Sequence, residues 1–244
     1  MSEVAALPTR KQEAWRYADL DALARLWPLP AAEAVTVTAD APLSRAVVLD
    51  AGGVVQLSLT LERGAVAAVH VLNMGGDYGR IELDVTLHEG ADFTLGVAQL
   101  GRESQTLEVV ATVRHAEPNA TSRQVVRSVL AGQATASCLA KVKVEKGAVG
   151  TDAEQSIRAM LLDRTAQANA KPELEIHADD VKCAHGCAVG ELDAMGLFYL
   201  QSRGLTRADA KKLMLQAFVA EAFVGAEDEE RLQALALEGL GALV

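Results

Sequence analysis

The sequence predicts a mainly β protein with helical segments at both ends, and three observations carry that prediction. From about Val35 to Val189 the chain is a series of short runs rich in Val, Leu, Ile and Thr, punctuated by Gly, Asn and Asp. No crossover helix interrupts them, which disfavours a doubly wound nucleotide-binding sheet. Glycine-alanine corners recur as ERGA, HEGA and EKGA, and the first two corner glycines, Gly64 and Gly90, stand 26 residues apart, a spacing that fits one turn of a solenoid. Hairpin turns use the same residues, so a sandwich, a barrel and a β-helix all stay open at this point.

The elements follow in order. Residues 9–27 carry good helix formers with apolar Ala14, Trp15, Leu20, Leu23 and Leu26, and Pro28 and Pro30 stop the pattern, so one short amphipathic helix or a pair is expected in an N-terminal segment spanning 1–34. Its charges, Arg10, Lys11 and Arg16 interleaved with Glu13, Asp19 and Asp21, fit local ion pairs on a solvated face. Residues 35–192 form the β core, with strands at VTVTA, AVVLD, VVQLSLTL, AVHVL, RIELDVTL, FTLGVAQL, LEVVATVRH, QVVRSVL, CLAKVKV and LEIHADDV. The glycine-rich fragments AGGV and GGDYG lack phosphate-loop spacing and read as turns.

Residues 193–244 read as helical. Leu197, Phe198 and Leu200 form a first apolar cluster, Gly204 ends that helix, and Thr206 with Asp209 caps the next. Leu213, Met214, Ala217 and Phe218 then fall along one side. The acidic run at 227–230 opens a last helix carrying Leu232, Leu235 and Leu240, where negative charge suits a helix N-terminus.

Composition limits the function. Half of the 244 residues are hydrophobic, enough for a sizeable core, and no apolar run is long enough to span a membrane. The balance of 23 basic against 33 acidic residues, net −10, argues against nucleic acid as a partner. Three cysteines cannot all pair in one chain and suit a reducing cytosol. His70, His88 and His115 stand alone and take ordinary structural or surface roles.

Chemistry concentrates between Lys171 and Gly204, which holds two of the three cysteines and two of the five histidines. If Val181–Val189 is extended, Cys183, His185 and Cys187 project to one face as soft donors suited to zinc, copper(I) or iron–sulfur chemistry. Three donors do not close a tetrahedral site, so a complete set needs another segment or a partner chain. The same spacing fits thiols buried inertly against a core. Adjacent Asp179 and Asp180 face opposite ways on a strand and make no acid/base pair.

The run LEIHADDVKCAHGCAVGELD followed by LFYLQSRGL resembles the SufD-type C-terminal signature of the SufB/SufD family of iron–sulfur assembly scaffolds. TDAEQSIRAMLL, the stretch from RHAEPNA to EKGA, and LPTRKQEAWRYADLDAL around Trp15 and Tyr17 resemble further family segments. The chain is shorter than the family members it resembles, and Cys187 stands where the pattern has alanine. The resemblance implies a right-handed parallel β-helix flanked by a short N-terminal helical segment and a C-terminal α-helical domain. It implies a non-enzymatic scaffold that holds an iron–sulfur cluster transiently at an interface shared with a SufB-like scaffold or a second copy, with His185 at the histidine position associated with SufD. It further implies that the C-terminal helices, with Leu213, Met214 and Phe218 as candidates, dock a SufC-type ABC ATPase. Reduced flavin is linked to the full complex, and no residue here places it. A stand-alone metal-binding β-helix and a β-helix enzyme are the competing classes.

Overall fold

The computed structural model describes residues 6–243. Among them, twelve strands alternate between two six-stranded, wholly parallel sheets. The first sheet stacks β1 (Glu33–Val37), β3 (Gly53–Leu61), β5 (Tyr78–Leu87), β7 (Thr106–His115), β9 (Thr135–Val144) and β11 (Gln167–Ile176) in that order. The second stacks β2 (Leu43–Leu49), β4 (Val66–Asn73), β6 (Asp92–Gly101), β8 (Thr121–Leu130), β10 (Asp152–Leu161) and β12 (Lys182–Gly190). Consecutive strands lie in opposite sheets and every second strand pairs in parallel, so the chain winds as a β-helix of about five turns.

The strands form because alternate residues are apolar and the register stacks like on like. On one inner face Leu59, Val85, Val113 and Val142 succeed one another, and on the other Val71, Val97, Val126 and Ile157 do. All eight are buried between the sheets, seven in one aliphatic cluster and Val142 in a smaller one toward the last coils. Two strands differ from the sequence expectation. LEIHADDV is not one strand: β11 ends at Ile176 and the chain turns a corner before β12. TDAEQSIRAMLL, in which apolar and polar residues alternate less cleanly, supplies β10.

The repeated corners have a backbone cause. Gly64, Gly90, Asn119, Gly150 and Asp180 all adopt positive φ. The first four each donate a backbone hydrogen bond to the corner of the next coil, to Glu89, Pro118, Val149 and Asp180 respectively. Glycine takes this left-handed conformation without Cβ strain, and Asn and Asp tolerate it best among the rest. The glycine-alanine pattern therefore exposed two members of the column and missed Asn119, Gly150 and Asp180. The Gly147 of EKGA is left-handed too but belongs to a neighbouring turn.

At the N-terminus the expected helix is a pair, a 3-10 turn at Glu13–Trp15 and α1 (Leu20–Leu26), lying on the outer face of the first sheet. Of the charges expected to pair locally, one reaches the β-helix and another caps the helix itself. Glu13 pairs with Lys171, while Asp19 caps α1 by accepting from the Asp21 and Ala22 amides. Buried Arg80 meets Glu108 and Glu82, donates 2.8 Å to the Ala14 carbonyl and lies 3.8 Å from the Trp15 ring. Burial opposes its charge, and Glu108 and Glu82 more than offset that, so its pKa is raised.

The C-terminal helices are α2 (Ala194–Ser202), α3 (Arg207–Ala220) and α4 (Glu229–Gly241), with a 3-10 turn at Glu221–Phe223. The expected signals hold locally: Gly204 is left-handed after α2, and the Thr206 side chain accepts from the Asp209 amide. Leu215, Val219, Phe223, Leu232 and Leu240 pack on Leu72, Ala98, Leu100 and Val129 of the second sheet. The approach is closest at Gly96, where any Cβ would overlap the Ala222 carbonyl. Beside it Arg127 bonds Glu221 at 2.6 Å, reaches Ser156 and lies 5.7 Å from the Phe218 ring.

Candidate functional site

β12 is the last strand of its sheet, paired only with β10, and its other edge carries no strand among the described residues. The register sets Cys183 beside Ala153, His185 beside Gln155 and Cys187 beside Ile157. Those three partners are fully buried and point between the sheets. Register neighbours in parallel strands project alike, so Cys183, His185 and Cys187 share the inward face of a coil on which no further strand stacks among the described residues. Cys183 is half-buried, while His185 and Cys187 are exposed. The expected alignment of the triplet is thus present, at the open end of the β-helix.

The sequence did not point to the thiol that lies nearby. Cys138, on β9 of the opposite sheet, is fully buried, and burial pushes its thiol up to about 12, with Cys187 adding a smaller effect in the same direction. Cys187 Sγ lies 3.9 Å from the carbonyl of Ala170, the register partner of Cys138. Burial also raises Cys183, although the Ala153 amide favours its thiolate. In the free chain, Cys138 and Cys183 are held as thiols at neutral pH. The donors are soft, yet no three His, Cys, Asp or Glu side chains among the described residues converge closely enough to hold a metal ion.

Other titratable groups have structural explanations. Asp180 sits in a left-handed corner whose carbonyl accepts from Gly150. His115 is buried against Ser122, 2.9 Å away, and desolvation lowers its pKa to about 4. His70 is buried under the turn before α4 and is lowered by desolvation; the Val224 carbonyl nearby favours the charged ring without a hydrogen bond of proper geometry. His88 lies at a corner, 3.2 Å from Glu117.

The three candidate docking residues on α3 separate. Leu213 is exposed, Met214 lies against Gly196 of α2, and Phe218 faces the sheet beside Arg127. The apolar exposure continues on α2, where Met195, Phe198 and Tyr199 are 73%, 68% and 55% exposed. The buried stripe of α3 is Ala210, Leu215 and Val219. Among the described residues no helix is long and apolar enough to cross a membrane.

Residues 48–218 match the SufBD core domain of SUF-system FeS cluster assembly, so the chain belongs to that family. It is of the SufD type. The iron–sulfur cluster assembly protein SufD of Escherichia coli is 31% identical over 173 residues, covering 70% of this chain and 41% of that protein. A SufBD-family iron–sulfur cluster assembly protein of Synechocystis is 35% identical over 153 residues, 62% of this chain and 33% of its own length. Bacillus subtilis SufD is 40% identical over 78 residues, 32% of this chain and 18% of its own. The chain spans less than half the length of these curated relatives.

Proposed function

We propose that this chain is a non-enzymatic, cytosolic scaffold subunit of a SufBCD-type complex. The observation that carries the proposal is the placement of Cys183, His185 and Cys187 on the inward face of an uncovered edge strand. An incomplete soft-donor set at a free edge suits a site that a second scaffold completes, SufB-like or another copy, through contact at this end. The lack of a convergent metal-holding group among the described residues weighs against the stand-alone metal-binding alternative. The iron–sulfur cluster is then cargo built at the shared interface, His185 faces it, and the thiols serve as further donors once deprotonated there.

The helical arm supplies the second contact. Met195, Phe198, Tyr199 and Leu213 form an apolar face of the kind that marks a protein interaction site, and here the partner is a SufC-type ATPase. ATP-driven closure of that partner moves α2 and α3, and the junction at Gly96, Arg127 and Glu221 passes the movement to β6 and β8. The nucleotide acts by favouring one of two scaffold conformations.

Co-expression with the host's SufC-like ATPase and SufB-like scaffold, with purification through this chain, tests the reading. A stable complex that builds clusters is expected, and His185→Ala is expected to lower cluster yield at least ~10-fold without changing the fold or subunit content. Unchanged yield removes His185 from the site, and failure to retain either partner removes the scaffold assignment.

A further inference from the structure

One inward column changes character along the β-helix. In register it reads Arg45, Val69, Leu95, Gln124, Gln155, His185. Val69 and Leu95 are ordinary core residues, but the next two coils place glutamines at buried positions 1% exposed. Burying an amide is unfavourable unless its donors and acceptors are met, so two stacked glutamines in an aliphatic core require an explanation.

Their hydrogen bonds have a direction. Gln155 Nε2 points to Gln124 Oε1 at 3.4 Å, so the Gln155 amide donates to the coil before it, while Gln124 Nε2, facing the Leu95 coil, has no partner. The unpaired atom at the top of this short ladder is Gln155 Oε1, an acceptor. Its neighbour in the next coil, about 4.8 Å away strand to strand, is His185. A neutral imidazole carries one N–H and one lone pair, and the group that accepts from the N–H decides which nitrogen is free.

We infer that Gln155 is a positioning residue for His185: its side-chain carbonyl accepts the imidazole N–H, fixing one tautomer and turning the other ring nitrogen, as a ligand, toward the open end. The ladder then runs from His185 to Gln155 to Gln124, the imidazole and the Gln155 amide each donating to the coil beneath. Ligating histidines characteristically hand their second N–H to such a carbonyl. The functional consequence rests on the reading of His185 as the cargo-facing residue, whereas the pairing itself does not.

Nitrogen NMR of the full chain labelled with ¹⁵N-histidine, at about pH 8 where imidazoles are neutral, separates the two. His185→Asn assigns the signal. The parent is expected to show His185 as a single tautomer, Gln155→Leu and Gln155→Met as a mixture, and Gln155→Glu, which keeps the acceptor, as the single tautomer again. Circular dichroism checks that each variant folds, and the two apolar replacements serve as alternatives should one fail. A mixture already present in the parent, or the parent's tautomer retained in both apolar variants, overturns the pairing. In the assembled complex the apolar variants are expected to lose about 10-fold in cluster yield, and Gln155→Glu to restore it. A changed tautomer with unchanged yield overturns the role of His185 and leaves the pairing standing.

Discussion

Single residues explain why the interior tolerates polar groups at a few points only. His115 is enclosed at a corner where its neighbours in register, Leu87 and Val144, are aliphatic, so it is kept neutral. Its folded pKa, about 4, lies below the ordinary value of 6.5. Above pH 6.5 both states are neutral and its contribution to stability does not vary; as pH falls below 6.5 the unfolded chain takes up a proton that the folded chain refuses. Stability is therefore lost between pH 6.5 and about 4, and it levels off below that. Between pH 6.5 and 5 the expected loss from this residue is roughly 2 kcal/mol. Urea unfolding at the two pH values measures it, and His115→Gln should remove most of the difference. Desolvated His70 acts in the same direction, so the His115 variant retains a smaller slope. An unchanged slope would mean that His115 is hydrated in the folded protein.

Elements were legible in the sequence to the extent that a local signal specified them. Alternating Val and Leu placed β3, β5, β6 and β7, and the Thr206 and Gly204 signals placed the ends of the α2–α3 hairpin. What local pattern cannot give is the neighbour one coil away. Gln124 and Gln155 stand 31 positions apart, and they become a ladder only once β8 and β10 are in register. The same distance hid Cys138 from Cys187. On α3, Leu213, Met214 and Leu215 are consecutive and apolar, and only packing decides that Leu215 is the buried one. Leu213 is thereby left exposed, as are Met195, Phe198 and Tyr199 on one face of α2. On that face Phe198 is the largest apolar side chain, 68% exposed. Phe198→Ser should weaken ATPase binding by about 10-fold to 100-fold, the effect of losing an aromatic anchor, and leave the melting temperature nearly unchanged. Calorimetric titration of the purified chain with the ATPase measures the first and a thermal melt the second. A large fall in melting temperature would place Phe198 in an internal contact.

The whole molecule is a stack with two unlike ends. In a solenoid each coil rests on its neighbours alone, so the terminal coils open most readily and gain most from a partner. At the β1/β2 end Glu33 and Arg45 occupy inward positions of opposite sheets and join through two hydrogen bonds of 2.7 Å, a charged strap across the opening. Inward-pointing charge and a satisfied fork of this kind discourage the addition of further strands. At the β11/β12 end the corresponding face carries Leu174, Ile176, Cys183, His185 and Cys187, with no charged strap among the described residues, and Ile176 and Val189 are well exposed. The β11/β12 end is therefore the better suited of the two to strand addition. Hydrogen exchange of the full chain should find the slowest amides in the middle coils, β5 to β8, and fast exchange along β12. Adding the SufB-like scaffold should slow the amides of Lys182–Gly190 by an order of magnitude or more, while β1 and β2 stay as they were. Protection appearing at β1 and β2 instead would assign the contact to the strapped end, and would separate the soft donors from the interface that is meant to complete them.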